Sequence, residues 1–277
     1  MSHSNYIKDV ITIKFDKFRD DKIIKSKFLG EDAFVLYNVF SKDECNRIIS
    51  GAEKIGFDKL EGYDLKYRNN LRLVTESPKI LDEFERRINP YIQKSVHIDE
   101  NTTTIHKHRA LYGEWEYSAI NTHLRICKYN PNNHFSKHYD SGYHPDPTSN
   151  RTIKTCMLYL NSEFEGGCTR FFNEKKLSSG EDELFFSLKP EAGMCVIFNQ
   201  NILHDGELVT TGLKYMMRTD IFYKARILKN KLTDKQKEAL DIYSQADELE
   251  DNDKMSEALA MYKKAWALEP DIDLLYH

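Results

Sequence analysis

From residue 119 to residue 226, short apolar runs alternate with turn residues, and no helix of ordinary length fits between them. The runs are NTHLRICKY, KTCMLYLN, GGCTRFF, LFFSL, MCVIFNQ and KYMMRTDIFY, punctuated by Gly, Asn and Pro. Many short strands at such spacing predict a sandwich or barrel, and a jelly roll is the natural size for this stretch. The expected fold class is mainly β with flanking helices.

The flanks read differently. AFVLYNVF from residue 33 predicts a strand, and SKDECNRIISGAEKIGF after it predicts a helix, with Ser41 and Glu44 spaced as a capping box. Residues 78–95 place Ile80, Leu81, Phe84 and Ile88 at helical spacing, with Pro90 breaking the helix near its end. For residues 1–30, rich in Lys and Asp, a strand through VITIKF and a frayed extension are both open. Beyond Ile227 the pattern predicts two antiparallel helices, the first capped by Thr233 and the turn near Asn252. Ala246, Leu249, Ala258, Tyr262, Ala265 and Pro270 fall at the packing positions of a tetratricopeptide repeat. One such unit cannot bury its face alone, so the hairpin is expected to pack on the β region, on a second copy or on a partner.

Charge excludes some functions. Across 277 residues the net charge is −4, which is no footprint for nucleic acid. No apolar run is long enough to span a membrane, and MSHSNYIKDVITIKFDKFRDDK has charges where a secretion leader needs apolar residues. A cytoplasmic or nuclear location is the expectation. The five cysteines (Cys45, Cys127, Cys156, Cys168 and Cys195) show no paired short spacing and read as reduced thiols.

The chemistry lies in two segments. HFSKHYDSGYH carries His138 and Asp140, which share one face of a strand and can grip one ion. His204 follows the apolar run MCVIF and completes a set of two imidazoles and one carboxylate. That set leaves metal positions open, as in non-haem Fe(II) oxygenases. Lys214, opening the next strand, is a cation placed to neutralise the far end of an acidic molecule that chelates the metal.

Together, Tyr129, His138-x-Asp140, TCMLYLN, GGCTRFF, LKPEAGMCVIF and HDGELVTTGLKY resemble the prolyl 4-hydroxylase branch of the 2-oxoglutarate/Fe(II) oxygenases. The resemblance covers residues 119–224. It implies a double-stranded β-helix, with the helices at 41–56 and 78–95 supporting one face. It also implies Fe(II) on His138, Asp140 and His204, with 2-oxoglutarate and O₂ as co-substrates and ascorbate as a reductant. Lys214 and Tyr159 would hold the distal carboxylate of 2-oxoglutarate, and Tyr129 would contact it from the preceding strand. Arg218, on the same strand face as Lys214, is the second candidate for that carboxylate. Asp220, Arg125 and His123 share the inner face and are the candidate substrate contacts; hydrogen bonding at the barrel mouth is the plainer reading of them. The implied organisation is an extension over 1–30, an oxygenase domain over 31–228 and a helical hairpin over 229–277.

The implied reaction is hydroxylation of a C–H bond, most naturally a prolyl residue of a protein or peptide, with release of succinate and CO₂. A carboxylate at 140, where related halogenases have a small residue, favours hydroxylation. The alternatives are another side chain, a small molecule, or an inactive relative that binds proteins. The hairpin would then serve protein binding or dimerisation. Elsewhere, His134 and His144 read as loop residues, and His106 and His108 as solvated. Tyr112, Trp115 and Tyr117 read as packing on the support helices rather than as a lid, Gly166-Gly167 as a turn, YRNNLR as a surface loop with an anion site on its two arginines as the alternative, and ELEDND as a solvated turn.

Overall fold

Along residues 194–198 successive side chains enter two different cores. Cys195 and Ile197 join one apolar cluster, while Met194, Val196 and Phe198 join another. Residues 156–159 do the same, Cys156 and Leu158 on one side, Met157 and Tyr159 on the other. Because side chains alternate across a strand, a strand buried on both faces reads as an unbroken apolar run. The runs MCVIF and TCMLYL are of that kind.

The computed structural model describes residues 11, 13–17, 22–60, 64–105, 108–140, 143, 149–176, 180–251 and 255–272. The doubly buried strands lie in a ten-stranded sheet. Its order is β1 (Ile24–Leu29), β2 (Ala33–Tyr37), β13 (Cys195–Asn199), β9 (Asn150–Tyr159), β16 (Lys214–Leu228), β7 (His123–Tyr129), β4 (Leu71–Glu76) and β3 (Asp58–Lys59). Strands β6 (Gly113–Ile120) and β5 (Ser95–Ile98) extend it from the far end of β16. A four-stranded sheet runs β12 (Asp182–Leu188), β11 (Thr169–Lys176), β14 (His204–Gly206) and β8 (Phe135–His138). The ribbon β10 (Phe164–Gly166) and β15 (Val209–Gly212) links the two. Phe171 and Leu188 of the small sheet share a core with Val196, Phe198, Met157 and Tyr159 of the large one. This is the jelly-roll arrangement expected. β1 lies inside the stretch read as an extension, and Ile11, nearer the N-terminus, is buried in the core.

The outer face of the large sheet carries the helices. α1 (Lys42–Ile55) starts on the expected capping box: Ser41 Oγ accepts from the Glu44 amide and Glu44 accepts from the Ser41 amide. α2 (Pro78–Ile88) puts Ile80, Leu81, Phe84 and Ile88 into the core and gives way at Pro90 to one 3-10 turn. Glu44 and Arg87, both almost fully buried, join the helices through an ion pair at 2.7 Å. Trp115 is fully buried and Tyr117 bonds Glu85 of α2, so these aromatics pack on the support layer.

α3 (Asp234–Asp251), capped by Thr233, and α4 (Met255–Leu268) form the C-terminal hairpin. Ala239, Tyr243, Ala246, Ala258, Tyr262 and Ala265 join the same apolar cluster as Leu111 and Trp115. The hairpin therefore packs on its own chain. His108, expected to be solvated, is 5% exposed: its Nδ1 accepts from the Ala110 amide and its Nε2 lies 3.7 Å from Glu269 at the end of α4. The junction with the hairpin buries it. His106, His144 and part of ELEDND fall outside the described residues.

Candidate active site

Pairing in the small sheet sets His138 directly opposite His204, on β8 and β14. Asp140 follows β8 and its amide bonds the Gln200 carbonyl, which carries the carboxylate over the same spot. His138 Nε2 lies 3.6 Å from Asp140 Oδ1, and His204 Nε2 lies 3.7 Å from Oδ2. All three donors can face one point, with ligand atoms within 4.8 Å of one another.

Each imidazole is turned the right way for a metal. His138 Nδ1 lies 2.7 Å from the Ser136 carbonyl and His204 Nδ1 lies 2.9 Å from that of Ile202. Carbonyls accept only, so each Nδ1 carries the proton and each Nε2 lone pair faces the centre. Phe135 stacks on His138 at 3.5 Å between ring centres, and Phe198 and Phe171 flank His204. Burial, with His138 adding to it, pushes the His204 pKa down to about 3, so the ring is neutral and able to ligate. Burial opposes the Asp140 charge, but Arg218, His204 and His138 outweigh it and hold the carboxyl well below its ordinary range. Two nitrogens and one carboxylate on one side, with space opposite, fit Fe(II).

The large sheet supplies the other wall. Inward alternation on β16 presents Lys214, Met216, Arg218 and Asp220, as expected. Lys214 pairs with Tyr129 on β7, and Met216 with Cys127 on β7 and Tyr159 on β9. Lys214 is 2% exposed and donates to the Gly167 carbonyl at 2.7 Å. Among the described residues no carboxylate lies within ion-pair distance of it. Burial lowers its pKa to about 8. Gly167 takes φ +66°, and a Cβ there would stand 3.3 Å from Lys214 Cδ, so the Gly-Gly turn also makes room for the lysine. The rings of Tyr129 and Tyr159 lie 5.2 and 5.5 Å from Lys214 Nζ. The Tyr159 hydroxyl pairs with Thr169 Oγ1 at 2.6 Å, and Thr169 lines the pocket.

One pocket thus gathers Tyr129, His138, Asp140, His204, Lys214 and Arg218. Arg218, by contrast with Lys214, meets carboxylates: it pairs with Asp140 at 2.9 Å and Asp220 at 3.2 Å. Burial works against its charge, yet these two carboxylates raise its pKa. Asp220 is fully buried and also holds Arg125 at 2.8 Å, so neither lines the pocket. His123 does not line it either and lies 3.3 Å from Glu76.

Arg68 was missed. The YRNNLR stretch is not a plain surface loop: a bridge to Phe135 draws it in, leaving Arg68 8% exposed on the pocket wall. Its guanidinium lies 4.2 Å from the Phe135 ring centre and bonds Asn70. Thr155, whose hydroxyl bonds Asp140 Oδ2 at 2.7 Å, was also missed. Counting by twos from Tyr159 would have placed it on the inner face; nothing local marks Arg68.

A model of the 2OG-Fe(II) oxygenase superfamily matches residues 124–221, which contain the triad, Tyr129, Lys214 and Arg218. Over that stretch the chain is similar to the superfamily. It is a 2-oxoglutarate-dependent dioxygenase of prolyl 4-hydroxylase-like type, and the family implies Fe(II), 2-oxoglutarate and O₂. A putative prolyl 4-hydroxylase of Acanthamoeba polyphaga mimivirus is 26% identical over 197 residues, 66% of this chain and 71% of the relative. Among solved structures, this oxygenase is similar to the viral collagen prolyl hydroxylase of Paramecium Bursaria Chlorella virus-1 in its 2-oxoglutarate complex. That match has 17% identity and a TM-score of 0.46, covering 71% of this chain and 98% of the other. The prolyl hydroxylase of Trichoplax adhaerens, with a hypoxia inducible factor peptide, gives 12% identity and a TM-score of 0.47 over 70% and 84%.

Proposed function

We propose that this oxygenase hydroxylates a prolyl residue of a protein or peptide, with succinate and CO₂ as co-products. The observation that carries the 2-oxoglutarate part is Lys214, a buried cation on the wall facing the triad, with no carboxylate in ion-pair range among the described residues. Such a charge favours an anionic ligand, because burial without a counter-charge is costly. The prolyl part draws support from the curated relative, itself a putative prolyl 4-hydroxylase.

His138, Asp140 and His204 would hold Fe(II), which supplies O₂ activation coupled to decarboxylation of the 2-oxoacid. The chain's own share is placement. The carbonyls of Ser136 and Ile202 hold the imidazoles in one tautomer. Lys214 anchors the far carboxylate, Thr169 lines its approach with Tyr159 bonded behind it, and Tyr129 closes the strand beside it. The phenylalanines around the imidazoles exclude water. The hairpin, with its tetratricopeptide-like spacing, is proposed as a surface for the protein substrate or a second copy.

The test is anaerobic addition of Fe(II) and 2-oxoglutarate to metal-stripped protein, watched for the weak visible charge-transfer band of the chelate. Wild type should show it and His138→Ala should not. Proline-bearing peptides, screened for succinate release with ascorbate present, then address the substrate. A folded wild type that binds Fe(II) but forms no chelate would remove the oxygenase reading. Turnover of free small molecules but no peptide would redirect the substrate class.

A further inference from the structure

Arg218 divides its two terminal nitrogens between two carboxylates instead of closing a two-pronged fork on one. Nη1 meets Asp140 Oδ1 at 2.9 Å and Nη2 meets Asp220 Oδ1 at 3.2 Å. Asp220 is itself fixed: Arg125 holds its Oδ2 at 2.8 Å and Gln200 Nε2 donates to Oδ1 at 3.3 Å. Its side chain is fully buried, so the anchor has no solvent-exposed alternative. Among the described residues, the other oxygen of Asp140, Oδ2, accepts from the neutral hydroxyl of Thr155 and faces His204 Nε2 at 3.7 Å. Strand register builds the row, since Arg218 stands opposite Met157 and Arg125, and Asp220 opposite Thr155.

The two oxygens of Asp140 are therefore unequal. Oδ1 is held by a charge-assisted hydrogen bond, the stronger kind. Oδ2 is the one a cation can approach without meeting the guanidinium. The distinction matters to this reaction. A six-coordinate iron that held His138, His204, a chelating 2-oxoacid and O₂ would have one position left for Asp140. A carboxylate swinging both oxygens onto the metal would take the position that O₂ needs.

Resting on the oxygenase reading, we infer that Arg218 is a positioning residue that keeps Asp140 a one-oxygen ligand through Oδ2, with Asp220 as its anchor. It touches neither substrate nor co-substrate in this role. Lys214 alone serves the co-substrate's distal carboxylate, and the second cation of the strand serves the metal ligand.

The experiment compares wild type, Arg218→Met, Arg218→Lys and Asp220→Asn. Mn(II) affinity is read from the free-ion electron paramagnetic resonance signal, Co(II) geometry from its visible absorption, and folding from thermal melting without metal. Arg218→Met should weaken Mn(II) binding about tenfold or more, as loss of a residue that orients a metal ligand does, and should alter the Co(II) spectrum. Arg218→Lys should recover part of both, and Asp220→Asn should shift both in the same direction by less. Wild-type affinity and an unchanged Co(II) spectrum in Arg218→Met, with only the melting temperature reduced, would overturn the inference. Tighter Mn(II) binding would overturn it too, by showing that Arg218 competes with the metal. Should Arg218→Met not fold, the lysine and asparagine variants make the same comparison. The wild-type Fe(II)–2-oxoglutarate band separates the two failures. A band with silent variants removes only the role of Arg218, whereas no band removes the oxygenase reading.

Discussion

β16 has two faces, nearly equal in burial and opposite in chemistry. Tyr215, Met217 and Ile221 point outward into the core shared with the helices, while Lys214, Met216, Arg218 and Asp220 point inward toward the pocket. The outward set follows the ordinary rule that buried means apolar. The inward set puts three charges where each must be compensated or held at a cost. Arg218 and Asp220 are compensated by each other and by neighbours; Lys214 is not paired with a carboxylate among the described residues. One face holds the fold and the other is held in place by it.

Substitutions should separate the faces by what they disturb. Trp115→Ala, on β6 in the outer core, should cost about 3–5 kcal/mol of stability, measured by denaturant unfolding. The remaining folded protein should bind 2-oxoglutarate normally, and a specific loss of 2-oxoglutarate affinity would blur the comparison. On the inner face, Lys214→Met should do the reverse. It should weaken 2-oxoglutarate binding by about 2–5 kcal/mol, the usual cost of removing one partner of a buried charge pair, with melting temperature unchanged or raised. A large drop in melting temperature would make Lys214 a structural residue.

The same lysine predicts a pH dependence. Its pKa is lowered to about 8 by burial, and only the protonated form attracts a carboxylate. Affinity for 2-oxoglutarate should hold level below that pH and fall as pH rises through it. Lys214→Met should flatten the profile, as titration calorimetry at several pH values would show. The smallest effect is expected at the outer layer's edge: Ser41→Ala removes one half of the capping box and should cost about 1 kcal/mol, with no change in ligand binding.

What could be read before the structure follows the same division. Period-two alternation placed Lys214, Arg218 and Asp220 on one face, because a strand's geometry is local. The capping box at Ser41 and the break at Pro90 are likewise decided within a few residues. Arg68 and His108 are not. The first is brought to the pocket by a bridge to Phe135, the second is buried by the end of α4, and both depend on distant chain. The pairing of Arg218 with Asp140 belongs to this class as well, since shared facing does not say which charges meet.

The jelly roll's two sheets contribute different halves of the site: His138 and His204 sit on the small sheet, Lys214 on the large one. A molecule chelated at one end and ion-paired at the other would act as a crossbeam between the walls. Converting it to succinate shortens the beam by one carbon and removes its grip on the metal. Each turnover would thus unfasten the two walls from each other, and the next 2-oxoglutarate would brace them again.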